Sequence, residues 1–294
     1  MKVHQSRNIE QKIEGQLTQD GAGVSLVRVL AGPAMQKRLD PYLLFDHFGS
    51  NDPDEYIAGF PDHPHRGIET ITLMREGHMR HRDSKGGHGL LQNGGVQWMT
   101  AGKGIIHSEM PEQEEGVMDG FQLWLNLPAA HKMIDPWYQD FQPDMIPSYT
   151  TEQGAFVRVV AGRSGDIRGY EREVTEPLYV QVTLPAGITF EHAIPATHNA
   201  FIYVYKGRVD VQGKQISESQ MGILSHAQGI GQEGADGVIV TADGALSEPA
   251  QLLLIAGKPL NEPVVQYGPF AMNTWEEIIE AFKDYEAGRL GVYS

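Results

Sequence analysis

FPDHPHRGIETITLMREGHMRHRDSKGGHGLLQNGGVQWMTAGKGIIHSEMP, residues 60–111, holds two pairs of potential metal ligands, each pair at a spacing of two. His63 and His65 flank Pro64, and His107 and Glu109 flank Ser108. Along an extended strand successive side chains alternate faces, so each pair points to one side. Two such strands brought together make a four-ligand pocket. Between the pairs, ETITLM (residues 69–74) is rich in β-branched residues and reads as a strand, with Glu76 and Gly77 as its turn. His78, His81 and His88 follow in a polar, Gly-rich segment read as flexible, where lone histidines more often titrate without a role. Strand patterning resumes at residues 96–99, VQWM.

Upstream of this stretch, GVSLVRVLA (residues 23–31) reads as a buried strand closed by the turn dipeptide Gly32-Pro33. PYLLFDHF (residues 41–48) is apolar and aromatic; its Asp46 and His47 could reach a site, but they read equally as turn residues ending a strand. Downstream, FQLWLNL (residues 121–127) alternates as a strand does, with Gln122, Trp124 and Asn126 on one side. Residues 128–147 read as an irregular linker.

The second half repeats the first in outline. VRVLAG at 27–32 and VRVVAG at 157–162 share five of six residues at an offset of 130, and the same offset carries Gly77 onto Gly207, each ending a β-rich run. Two matches at one offset indicate internal duplication. That offset places Ala193 and Pro195 opposite His63 and His65, and Gly237 and Ile239 opposite His107 and Glu109, so the second copy is expected to lack the ligands. LYVQVTL (178–184) and QLLLIA (251–256) read as later strands. A last helix is expected with Asn273 as N-cap, Glu276 at its third position, and an apolar stripe of Trp275, Ile278, Ile279 and Phe282 ended by Gly288.

Composition agrees with a mainly β chain, long enough for two domains of ordinary size or one large one. Thirty-four Gly and 17 Pro among 294 residues suit short strands and tight turns, and the length allows two real cores. A formal charge of −15 argues against direct nucleic acid binding and against anionic membrane surfaces. With no cysteine, any metal is left to His and carboxylate. The start, MKVHQSRNIEQKIEG, has no apolar core for a signal peptide, and no apolar run approaches the ~20 residues of a spanning helix, so a cytoplasmic location is expected.

Three imidazoles and a carboxylate suit one divalent ion among Fe(II), Mn, Ni, Cu, Co and Zn without selecting it; Fe(II) is taken first, because a site with open positions serves an oxygenase. HPHRGIET (63–70) followed by QWMTAGKGIIHSEMP (97–111) resembles the pirin family of the cupin superfamily, and the likeness extends to FQLWLNLP (121–128) and GPFAMNT (268–274). The resemblance implies a bicupin of two jelly-roll β-barrels, an N-terminal one at 1–147 with the metal site, and a C-terminal one at 148–294 without ligands and carrying the final helix. By motif position it assigns His63, His65, His107 and Glu109 as ligands. It moves Glu69, where general cupins place their glutamate, to a supporting role behind His65 or Arg66, and it accounts for Ala101 in place of a general cupin proline.

Resemblance also implies an activity: cleavage of a flavonol such as quercetin by O2 at the 2,3 bond with release of carbon monoxide, for which Glu109 could act as base; Trp98, Met99 and Trp124 read first as barrel core and second as apolar contacts for a flat substrate. The alternative it implies is a redox-sensing regulatory protein whose iron state controls binding to a metabolic enzyme or transcription factor. Another metal-dependent cupin reaction, an isomerisation for example, is a third.

Overall fold

The computed structural model describes residues 2–172, 174–229 and 232–292. Alternating patterns such as IETITLMRE and AQLLLIAG fold into antiparallel ladders, and the same ladder order appears twice. The first seven-stranded sheet runs Trp137–Phe141, Val96–Thr100, Ile68–Glu76, Met118–Asn126, Tyr42–Ser50, Val24–Leu30, Gln16–Asp20. Its four-stranded companion runs Phe60–His65, Ile105–Pro111, Met79–Asp83, His88–Leu91. The second pair of sheets repeats this: Ile9–Glu14, Gln220–Leu224, Asn199–Lys206, Ala250–Gly257, Leu178–Leu184, Phe156–Ala161, Ser148–Thr150, with Thr189–Ala193, Gly237–Ala242, Arg208–Val211, Lys214–Ser217. The expected mainly β, duplicated architecture is therefore present. Among the described residues no helix is long and apolar enough to cross a membrane.

The domain division at 147/148 needs correction at both termini. One compact unit comprises Met1–Gly15, Lys37–Asp40 and Ile146–Pro259, the other Gln16–Gln36, Pro41–Met145 and Leu260–Ser294. The two units meet between Met145 and Ile146, and each end of the chain joins the other half's unit. Strand pairing is the cause for the N-terminus: Ile9–Glu14 pairs with Gln220–Leu224, the edge place that Trp137–Phe141 fills in the other unit. Hence the stretch read as an irregular linker, residues 128–147, contains an edge strand, with Tyr138 opposite Met99. The segment read as flexible around His81 and His88 is likewise a hairpin, whose turn is held by Asp83 Oδ1 accepting from Lys85 N and Gly87 N, both at 2.8 Å.

The C-terminal segment is pinned to the unit that holds the opening stretch. Lys132, 1% exposed, donates to Gly67 O (3.0 Å), Asn126 Oδ1 (2.6 Å) and Ala271 O (2.7 Å), using all three ammonium protons. Burial pulls its pKa down to about 7. Gly67 has φ +77°, and a Cβ there would stand 2.1 Å from Ala271 O, so the close approach requires glycine twice over.

The final helix, Trp275–Glu286, starts one residue later than expected. Thr274, not Asn273, is the N-cap, and Glu277, not Glu276, completes the capping box. The Asn273 amide is instead used on Pro263 O at 2.8 Å. Its buried face is also rotated: Ile278 and Ala281 pack with Phe270, Met272 and Leu290, while Trp275 and Ile279 are 55% and 51% exposed. Both stripes satisfy helical spacing, and tertiary docking selects between them.

Candidate metal centre

The strands Phe60–His65 and Ile105–Pro111 are direct neighbours, which places His107 opposite His63 and Ile105 opposite His65. A register shift follows His107, so that Glu109 stands opposite Phe60. His63, His65 and His107 converge, one nitrogen from each lying within 4.8 Å of the others, with ring centroids 4.3–5.0 Å apart.

Each imidazole uses Nδ1 outward. His63 Nδ1 is 2.8 Å from Pro61 O, and His65 Nδ1 is 3.2 Å from Pro269 O. A carbonyl only accepts, so these Nδ1 atoms carry the protons and the lone pairs lie on Nε2. His107 Nδ1 meets His81 Nδ1 at 3.4 Å, and His81 Nε2 meets Asp83 Oδ2 at 3.3 Å. The carboxylate places a proton on His81 Nε2, His81 Nδ1 then accepts, and His107 is left with its proton on Nδ1 and a bare Nε2.

Among the described residues, His65 Nε2 and His107 Nε2 are buried with no hydrogen-bond partner. Burial, followed by the charge of His63, holds the His65 pKa down to about 3. His107 lies well below its ordinary range because of burial, then the charges of His63, His65 and His81. These are neutral donors with orphaned lone pairs facing each other, which is what a divalent cation would satisfy. The residues fit a bound metal.

Glu109 is 3% exposed and its Oε1 accepts from Thr72 Oγ1 at 3.2 Å. It stands on the same strand and at the same parity as His107, outside the close group formed by the three imidazoles. Thr100 donates to Glu69 Oε1 at 2.6 Å, and strand alternation turns Glu69 away from Thr70 and Thr72, while His65 takes Pro269 O as its outer partner. Arg66 donates to Lys103 O (2.7 Å) and pairs with Asp284 of the final helix (2.9 Å), so it anchors the C-terminal segment.

His81 was expected to be idle and is instead fully buried between His107 and Asp83, with Tyr138 stacked on it at 4.2 Å. A readable sign existed: His81 and Asp83 repeat the spacing of two shown by the ligand pairs. Of the expected apolar contacts, Trp124 lies 4.9 Å from the His65 ring and Met99 packs with Ile105, whereas Trp98 has the opposite parity and faces away. Asp46 is held by Arg28 at 3.0 and 2.7 Å, and His47 is paired with Asp119 at 3.1 Å.

In the second unit the fixed offset misplaces the counterparts. The register pairs Val240 with Phe190 and Val238 with His192, and Phe190, Val238 and Val240 fill an apolar core, whereas Ile239 stands opposite exposed Glu191. Unequal loops between the copies shift the true correspondence by about one residue.

Comparison with known proteins adds an independent finding. The family model described as Pirin matches residues 23–125, and that described as Pirin C-terminal cupin domain matches residues 179–291. A protein of Pseudomonas aeruginosa named "Putative quercetin 2,3-dioxygenase" is 47% identical over 291 residues, covering 97% of this chain and 99% of its own. The crystal structure of a quercetin 2,3-dioxygenase from Acinetobacter baumannii superposes with a TM-score of 0.87 at 31% identity, covering 97% of this chain and 99% of that one. A bacterial pirin from Escherichia coli in complex with nickel(II) shares the fold at a TM-score of 0.64 and 19% identity, over 85% and 99% of the two chains.

Proposed function

The chain belongs to the pirin family, and from that premise we propose that it is a metal-dependent dioxygenase that cleaves flavonols such as quercetin with O2 at the 2,3 bond, releasing carbon monoxide. The observation that carries this reading is the set of buried, neutral imidazoles with unpartnered Nε2 atoms beside a buried carboxylate. His63, His65 and His107 would hold the ion, with Glu109 as the fourth ligand. Fe(II) is the metal proposed first, Ni, Cu, Co, Mn and Zn being the others that this donor set accepts. When bound, such an ion acidifies a coordinated hydroxyl and offers open positions to a chelating substrate and O2.

The chain's own residues account for the remaining steps. Thr72 holds Glu109 Oε1, so Oε2 would be the ligating oxygen and, with the carboxylate swung off the ion, the general base that takes the proton of the flavonol 3-hydroxyl. Pro61 O, Pro269 O and His81 hold the three imidazoles in one tautomer before substrate arrives, so none has to reorient during the reaction. Trp124 and Met99 present an apolar face to a flat ring and exclude water from it.

Protein loaded anaerobically with Fe(II) should bleach quercetin on admission of O2 and evolve carbon monoxide, and Glu109→Gln should lose at least a hundredfold in rate. No turnover with iron, nickel, copper, cobalt or manganese would sink the assignment, and a non-enzymatic, partner-binding role would then replace it.

A further inference from the structure

The wall facing the imidazoles carries a polar row of which the reaction above uses only Thr72. Cross-strand register aligns Asp140, Gln97, Thr72, Gln122 and Asp46 across five adjacent strands. Thr72 touches Glu109, so this face of the sheet looks toward the candidate centre. The parallel row two residues along, Tyr138, Met99, Thr70 and Trp124, looks the same way, with Trp124 against His65 and Tyr138 against His81. One row is mostly apolar and aromatic, the other polar.

Most of the polar row is already satisfied. Asp46 is gripped by Arg28, and the Gln122 amide meets the Thr72 hydroxyl. Gln97 is the exception. It is 2% exposed, its Nε2 reaches Tyr138 Oη and Asp140 Oδ1 only at 3.4 Å, and its Oε1 has no partner among the described residues. The Asp140 carboxylate can only accept, so the amide must turn its NH2 there and leave the carbonyl bare. A buried carbonyl without a donor is costly, and such a group in a folded protein calls for an account. In the neighbouring row the indole Nε1 of Trp124, a donor, is also buried and unpartnered. An orphaned acceptor and an orphaned donor, flanking Met99 on the site-facing wall, match a flat ring that carries hydroxyl groups.

We infer that Gln97 is a specificity-determining residue, its Oε1 accepting a hydrogen bond from a ring hydroxyl of a polyhydroxylated aromatic ligand that lies against Trp124 and Met99. The ligand's identity as a flavonol rests on the function proposed above; the recognition of a hydroxyl beyond the metal-chelating one is new. A site built around an unpaired buried acceptor discriminates strongly against an analogue that lacks the matching donor.

The test uses metal-loaded protein under nitrogen, titrated with quercetin and with 3-hydroxyflavone, which has the chelating hydroxyl and no others. Binding is read from the absorbance of the flavonol, without turnover. Quercetin should bind at least tenfold more tightly than 3-hydroxyflavone, and Gln97→Leu should remove that preference by weakening quercetin about tenfold while leaving 3-hydroxyflavone unchanged. If Gln97→Leu does not fold, the nearly isosteric Gln97→Met provides the same reading. An unchanged preference in a folded, metal-loaded variant overturns the assignment of Gln97 alone. Failure of the parent protein to bind either flavonol overturns the flavonol reading, and this inference with it.

Discussion

The two barrels share a strand order, and their inward positions make the opposite choice. On Ile105–Pro111 the inward residues after Ile105 are His107 and Glu109, facing Thr72, Gln97 and Gln122. On Gly237–Ala242 they are Val238 and Val240, packed with Phe190, Val180, Val182 and Leu252. One interior is mostly apolar, His192 opposite Val238 being a buried polar exception, and each large aliphatic side chain it buries contributes about 1.5–3 kcal/mol. The other gives up that contribution to keep desolvated imidazoles, a carboxylate and amides in place. Duplication thus leaves one copy free to carry a costly polar interior while the other stays an ordinary core. Sites of this kind are where stability is usually sacrificed to function.

The largest contrast should come from exchanging the two kinds of residue. Val240→Asp buries an unpaired charge and should destabilise by about 4 kcal/mol or more, read by chemical denaturation. His107→Val should abolish metal binding yet leave the metal-free protein within about 1 kcal/mol of the parent, because it replaces a desolvated imidazole by an aliphatic group. If both substitutions unfold the protein, the two interiors are not energetically different.

Lys132→Met strips Gly67 O, Asn126 Oδ1 and Ala271 O of their donor in the metal-bearing barrel. A loss of about 3 kcal/mol is expected in thermal unfolding, with metal affinity falling as well, since Pro269 O reaches His65 from the same C-terminal segment. Unaltered affinity at lowered stability would separate the segment from the site.

Acid should also distinguish the interiors. His65 is held neutral down to about pH 3 in the folded state, and His107 is shifted the same way, whereas an unfolded imidazole takes up its proton near 6.5. The unfolded chain therefore binds more protons below pH 6.5, and the metal-free protein should lose up to about 1.4 kcal/mol per pH unit for each of the two as pH falls from 6.5 toward 3. His65→Leu should reduce that slope; an unchanged slope would place the acid sensitivity elsewhere.

The smallest effect is expected from Asp83→Asn. An amide can donate as well as accept, so the tautomer chain through His81 to His107 is no longer enforced, and affinity for the metal should drop about 10- to 100-fold with little change in folding stability. Competition against a chelator measures it.

Much of this was legible in the order of residues. The two ligand pairs, the strand at 69–74 and the repeat of VRVLAG depend on alternation and composition within a few residues, and alternation is a local property of extended backbone. Both candidate faces of the last helix satisfy the same period, so spacing does not choose between them, and a fixed 130-residue offset does not hold because loops change length without disturbing strands. For His81 the one local sign is its spacing of two from Asp83, and only the register that buries both tells that pair from a polar turn.

What the sequence by itself determined is therefore the chemistry on offer: three imidazoles and a carboxylate at strand spacing, in one copy of a duplicated, cysteine-free β chain. Only the tertiary structure decided how those groups are held. Pro269 stands 204 residues from the imidazole it orients, Ile9–Glu14 completes the sheet of the opposite half, and Asp83 reaches His107 through a second histidine. Each of these contacts is set by strand register and burial across long separations, and neither quantity is written in the spacing of neighbouring residues.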